Sequence, residues 1–219
     1  CYSPAGHKRP SYAPNGSPAG KKYNRQLTTT AHSAHKRGVG EAGAVMGTQI
    51  FESYTAVGTW EDPIWTVYWK CQTFTPSGAH QITKVKLKLY RVGSPSTVTV
   101  SIRATSAGDP TGSDLCSGTY DGNLLTTDSA GEWVDIEFGA GTLLAASTVY
   151  AIVVRAVDGD SNNYAVWLGV SPGTYAGGNR DASDNSGATW PGTTTMDNNF
   201  EAHKRGVGEM SLAGIRDAI

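Results

Sequence analysis

The sequence predicts an all-β chain, an antiparallel two-sheet β-sandwich of jelly-roll-like character, with an extended basic N-terminal arm and a short C-terminal tail. Three observations predict it. Apolar and polar residues alternate with period two through the middle of the chain, the mark of half-buried strands. The 27 glycines, against three Met and four Phe, match a turn-rich β protein better than a helical one. Gly, Asp, Asn and Pro turns separate short strands with no helical stripe between them. The expected boundaries are an arm at 1–45, a sandwich at 46–201 and a tail at 202–219.

Each element has its own signal. In 84–89, Val85, Leu87 and Leu89 point one way while Lys84, Lys86 and Lys88 point the other, so one face is core and one is wet. The run 97–103 repeats the alternation, and Gly93, Ser94 and Pro95 supply a turn between the two, which predicts a hairpin. Val134, Ile136 and Phe138 alternate with Asp135 and Glu137, while 149–156 is apolar enough for a central strand covered on both faces. Further strands are expected near 64–74, 114–120, 164–168 and 196–201. In the tail, Met210, Leu212, Ile215 and Ile219 have spacings compatible with a short helix or an added strand, either of which needs a partner surface.

Composition excludes some classes and leaves others open. No stretch approaches the ~18 apolar residues of a spanning helix, so no membrane span is expected. The charge is divided unevenly. Lys8, Arg9, Lys21, Lys22, Arg25, Lys36 and Arg37 lie in the first 40 residues with no acid, whereas the rest holds 11 Lys and Arg against 19 Asp and Glu. The arm of one copy can therefore lie on the body of another, or on another anionic surface. Nucleic acid is a weaker expectation, because seven cations without interleaved aromatics make a thin phosphate-binding segment. Cys1 opens the sequence without Met, which fits Met removal, a trimmed fragment or a lipid-modified cysteine after signal cleavage. Of the three cysteines, only Cys71 and Cys116 could pair within the sandwich, and their spacing matches no zinc pattern.

Repeats single out the flanks. His-Lys-Arg occurs at His7, at His35 and at His203, and the octapeptide AHKRGVGE occurs identically at 34–41 and 202–209, bracketing the sandwich. One reading is a duplicated linker or a tandem-repeat boundary. The other is that both flanks occupy equivalent docking sites in an assembly. On that reading the assembly residues are His7, Lys8, Arg9, Lys21, Lys22, Arg25, His35, Lys36, Arg37, His203, Lys204 and Arg205. An arm segment could add to a neighbour as an edge strand and cover a sheet edge in doing so.

The segments KVKLKLYRVGSPSTVTVSIRAT, PTGSDLCSGT, LLAASTVYAIVVRAVDGDSNNYAVW and SPGTYAGG followed by NSGATW resemble the choice-of-anchor type of β-sandwich, found in bacterial surface proteins and in virion proteins of phage-like genomes. The resemblance covers a little over half the chain. It implies a carbohydrate-binding or adhesive sandwich at an extracellular or virion surface. The basic arm lies outside it, and wall attachment of the kind seen in secreted members is not expected.

Candidate chemistry is sparse. The stretch 169–173 fits G-x-S-x-G, but the residue after Ser171 is Pro172, which has no N–H to offer an oxyanion, so a catalytic serine is not expected and the protein is read as non-enzymatic. Asp158 and Asp160 sit in an oxygen-rich loop that lacks the glycine and closing Glu of an EF-hand, so an ordinary turn is favoured over a structural Ca²⁺ site, and no other cofactor is expected. Six Trp and ten Tyr are a high aromatic load. Alternation assigns Trp65 and Trp69 to core packing on one strand. Trp133 falls on the wet face of its strand, and Trp167 and Trp190 lie near loops, so these three are the candidates for stacking on a glycan.

Overall fold

The computed structural model describes residues 48–191 and 195–205. The arm cations Lys8, Arg9, Lys21, Lys22, Arg25, Lys36 and Arg37, the histidines His7 and His35, and the tail beyond Arg205 lie outside them. The described residues form twelve strands and one 3-10 turn, Gly122–Leu124. The strands are β1 (Thr48–Tyr54), β2 (Trp60–Ile64), β3 (Trp69–Phe74), β4 (His80–Val92), β5 (Thr97–Ser106) and β6 (Asp109–Asp121), followed by β7 (Glu132–Leu144), β8 (Tyr150–Arg155), β9 (Tyr164–Val170), β10 (Arg180–Ser183), β11 (Asp197–Asn198) and β12 (Phe200–Arg205).

They make two antiparallel sheets packed face to face, a β-sandwich as the alternation predicts. The seven-stranded sheet runs β1-β12-β4-β9-β11, with β2 added on β9 and β7 on β4; the five-stranded sheet runs β10-β3-β8-β5-β6. Inward residues of both sheets meet in one apolar core. Val85, Leu87 and Leu89 come from β4, Val98, Val100 and Ile102 from β5, Val134 and Ile136 from β7, Ile152 and Val154 from β8, and Trp167 from β9. β8 lies between β3 and β5, and its outward Ala151 and Val153 are also fully buried, so it is the central strand covered on both faces that its composition predicts. Pro63 lacks a ladder donor and sits on β2, which pairs with β9.

One pairing departs from expectation. β4 and β5 are not a hairpin: β4 pairs with β12, β7 and β9, and β5 with β6 and β8. Gly93 and Ser96 both take positive φ, at 62° and 61°, and the turn carries the chain across the core from one sheet to the other. Both strands still bury their apolar sets in the same core, so alternation alone cannot tell this arch from a hairpin. The β5 hairpin partner is β6, joined through Ala107 and Gly108, whose positive φ values suit the two-residue turn that right-twisted strands favour.

The expected strand near 64–74 is likewise two strands in different sheets. Trp65 and Tyr68 close a tight bridge between them, with Tyr68 N donating to the Trp65 carbonyl at 2.7 Å. Trp65 and Trp69 are only half-buried and lie outside the main core, because the core-facing parity of β3 belongs to Lys70, Gln72 and Phe74. The sandwich also extends past its expected end, since β12 carries it to Arg205.

β7 bulges where it passes β4, and Gly141 there has a φ of 70°. A Cβ at this position would overlap the Ile82 carbonyl oxygen. Replacing Gly141 by Ala is expected to destabilise the sandwich by about 2–3 kcal/mol from backbone strain and the clash, read as a lower urea midpoint. The same change at Gly108, whose Cβ direction is open although its φ is 99°, should cost less.

Candidate functional site

The strand order brings the two flanks to one place. β1 begins at Thr48 and β12 ends at Arg205, and these two residues are antiparallel partners. Residues 202–205 open the second octapeptide copy and were expected in the tail. They are instead sheet, held between β4 and β1. The local cause is parity: Phe200 and Ala202 are both fully buried, so the alternation that starts before the repeat runs into it. His203 is only 6% exposed, with Nε2 3.1 Å from Glu201 Oε2. It is therefore part of the folded body and no free docking element. The Lys204 ammonium lies 5.0 Å from the centre of the Phe51 ring, and that ring stacks on His80 at 3.7 Å. A cleft of about 370 Å³ lined by Thr48, Thr83, Glu137, Gly139 and Arg205 opens beside this stack. Next to it Lys84 pairs with Asp135 at 3.0 Å and with Glu137 at 3.9 Å.

The outer face of the five-stranded sheet is a second surface. Trp69 lies against two guanidiniums, Arg103 at 5.5 Å and Arg155 at 5.3 Å from the ring centre. Asp114 joins them, accepting from Arg103 Nε at 2.7 Å and from Arg155. Burial raises the Asp114 pKa and the bonds from Arg155 and Arg103 lower it, with a net shift below the ordinary carboxylate value. Two clefts flank the β5–β6 turn. One of about 470 Å³ is lined by Thr73, Gly108, Tyr175, Asn179 and Asp181 among others. The other, of about 310 Å³, is lined by Ser106, Asp109, Thr111, Thr189 and Trp190 among others. Asp181 is buried, which pushes its carboxyl pKa up, with Asp109 adding in the same direction.

The tryptophan candidates separate. Trp167 is fully buried, and its Nε1 donates to the Asn199 carbonyl at 2.8 Å. It faces the core because it shares the inward parity of Ala165 on β9. Trp190 is 6% exposed and lies folded onto Cys71, Ala151, Val153 and Trp69. Trp167 offers no face for a sugar, whereas Trp190 keeps only an edge in the wall of the cleft of about 310 Å³. Trp133 is half-exposed on the outer side of β7 opposite Lys88, as its parity predicts.

The remaining candidates are structural. Asp160 accepts from Asn162 N at 2.7 Å and from Asn163 Nδ2 at 3.0 and 3.1 Å, which closes the loop as a turn. No group of three or more His, Cys, Asp or Glu side chains placed to hold a metal occurs among the described residues, and Asp158 and Asp160 gather no such set. Ser171 is exposed beyond the end of β9. His80 Nδ1 is 3.1 Å from the Gly78 carbonyl and His203 bonds Glu201, so neither imidazole is held against a serine. Cys71 and Cys116 are free thiols: Cys71 belongs to the outer cluster with Trp190, whereas Cys116 packs on the main core. No helix among the described residues is long and apolar enough to cross a membrane.

The most densely bonded group was not anticipated from sequence. Asp62, 1% exposed, receives Arg180 Nε on Oδ2 at 2.7 Å and Asn198 Nδ2 on the same oxygen at 3.1 Å. Its Oδ1 receives Arg180 Nη2 and lies 3.3 Å from Lys70 Nζ. Gln72 continues the network, donating to Asp197 Oδ1 at 3.2 Å and accepting from Asn198 N at 2.7 Å. The signal was parity: Asp62 is in phase with Ile64, and Lys70 and Gln72 with Phe74, so inward apolar residues carry inward polar ones beside them.

Compared with protein-family models and with curated proteins, the chain matches none.

The stack at the flank edge is sensitive to acid. Burial is the main cause that holds both His80 and His203 below the ordinary imidazole pKa, and it outweighs the Gly78 carbonyl and Glu201, which favour protonation. Lys204 and Glu52 also act on His80, and Lys84, Glu201 and Asp135 on His203. With the folded pKa depressed, the unfolded chain binds more protons below about pH 6.5, so this stability is present above that value and declines as pH falls. The melting temperature should drop between about pH 7 and 5, and His80→Gln combined with His203→Gln should flatten that drop in a thermal scan.

Proposed function

We propose that this protein is a non-enzymatic structural component of an extracellular assembly, of the virion decoration or fibre kind, whose copies associate through the basic arm and the tail. The observation that carries the reading is the pairing of Thr48 with Arg205, which brings the two ends of the sandwich side by side at one end of neighbouring strands. A scaffold of this form holds two linkers at one place. The charge division supports it: a basic arm and an acidic body attract between copies, and this attraction weakens with salt. Individual exposed ion pairs contribute only about 0–1 kcal/mol, so the arm also needs backbone pairing or burial of Tyr2, Tyr12 and Tyr23. The choice-of-anchor resemblance fits a surface location.

Light scattering on the eluting protein tests this. The full chain should self-associate at low salt, and a chain lacking residues 1–45 should elute as a monomer with unchanged β-sheet circular dichroism. A truncated chain that assembles like the full one would overturn the reading.

A carbohydrate-binding adhesion role has one observation in its favour, the cleft of about 470 Å³ with Asp181 in its wall. Carboxylates and backbone groups in such a cleft can accept and donate to sugar hydroxyls. On a glycan array this reading expects binding that Asp181→Ala weakens about tenfold or more, the scale of one lost charge-assisted hydrogen bond. Binding that follows Trp133→Ala instead would place the contact on the outer face of β7.

A further inference from the structure

We propose that Lys70 and Asn198 join in an intramolecular isopeptide bond between the two sheets, with Asp62 carrying the protons. The three groups occupy core-facing positions on three strands: Lys70 on β3 of the five-stranded sheet, Asn198 on β11 and Asp62 on β2 of the other. All three are nine-tenths buried or more, with Lys70 at 9%, Asp62 at 1% and Asn198 at 0% exposure. The two oxygens of one carboxylate are shared between the two reactants. Oδ1 lies 3.3 Å from the Lys70 amine, and Oδ2 accepts from the Asn198 amide nitrogen at 3.1 Å. Arg180 bonds both oxygens and so fixes the carboxylate plane between nucleophile and leaving group.

Amide exchange needs one carboxylate that reaches both the nucleophile and the leaving nitrogen, and Asp62 does so. A lysine is nucleophilic only as the neutral amine, and burial lowers the Lys70 pKa against the opposing pull of the Asp62 charge. Asp62 Oδ1 takes a proton from the ammonium, and the amine lone pair attacks Asn198 Cγ. The carboxyl then returns that proton to Nδ2, the Cγ–Nδ2 bond breaks and ammonia leaves. The second proton released by Nζ passes through the same carboxylate to the departing ammonia. Lysine ammonium and carboxamide thus give a secondary amide and ammonium, with Asp62 regenerated and no oxidant or cofactor consumed. Holding the reactants on packed strands supplies the proximity that makes such a step unimolecular.

The Asn198 Oδ1 is buried with no hydrogen-bond partner, a property it shares with six other side-chain atoms among the described residues, so no donor competes for the carbonyl under attack. The bond would also fasten the sheets where neither cysteine pair nor metal does so among the described residues.

Intact-mass spectrometry of the purified full chain decides it. The folded protein should be lighter than its sequence by one ammonia. Trypsin should fail to cut after Lys70 and should release a branched peptide linking it to Asn198. Lys70→Arg, which keeps the charge, and Asn198→Ala should each restore the sequence mass. Wild-type protein at its full sequence mass overturns the proposal whatever the variants do. So does an ammonia loss that fragmentation assigns to another site, such as succinimide formation at Asn15 before Gly16.

Discussion

One buried carboxylate, Asp62, ties four strands of the two sheets together. Asp62 is taken out of water on a short edge strand and surrounded by Arg180 and Lys70 from the opposite sheet and Asn198 from its own. Isolated in a protein interior, such a charge would cost several kcal/mol, and stripping one partner from a buried pair costs about 3–5 kcal/mol. The cluster is therefore weak evidence for net stability and strong evidence for geometry. Its bonds link β2 to β3, β10 and β11. Apolar side chains fill the rest of the interior and tolerate small slides; directional bonds at this end do not.

The chain changes sheets at more than one turn. Between β2 and β3 it turns through Thr66 to Tyr68, which leaves Asp62 and Lys70 facing each other from opposite walls. Between β4 and β5 it crosses again at Gly93 to Ser96. A two-sheet core is filled equally well by an arch or by a hairpin of the same strands, so the choice falls to turn geometry and to which strands are left to pair. β4 is taken by β12 and β7 over most of its length, and β5 goes to β8 and β6.

What was legible in the sequence followed from parity. Lys84, Lys86 and Lys88 face outward, Trp133 faces outward, and β8 is buried on both sides, each as alternation implies. Parity failed where a strand was assumed continuous. Reading through Thr66 put Trp65 and Trp69 in the core, whereas the break there gives the inward positions to Lys70 and Gln72. It was also not applied far enough. Phe200 and Ala202 extend the period-two pattern into the repeated octapeptide, so His203 belongs to a strand. Loop proximity misled for Trp167 and Trp190, since a large ring one residue from a turn can still be the best filler of the nearest gap. The Asp62 cluster escaped because its two halves, Asp62 with Lys70 and Gln72 and Arg180 with Asp197 and Asn198, lie more than 100 residues apart in the chain and meet only in three dimensions.

The adjacency of Thr48 and Arg205 has a mechanical meaning. Tension applied through the two flanks would act at paired residues on the same end of neighbouring antiparallel strands, so it would load the ladder between β1 and β12 in peeling instead of in shear. Hydrogen bonds between β1 and β12 would open one after another from that end, while β12 keeps its ladder to β4. The front would then reach Asp62 and Asn198, the next inward residues on each side that bond to one another. The sandwich would thus yield a soft outer layer first and meet its stiffest contact immediately behind it.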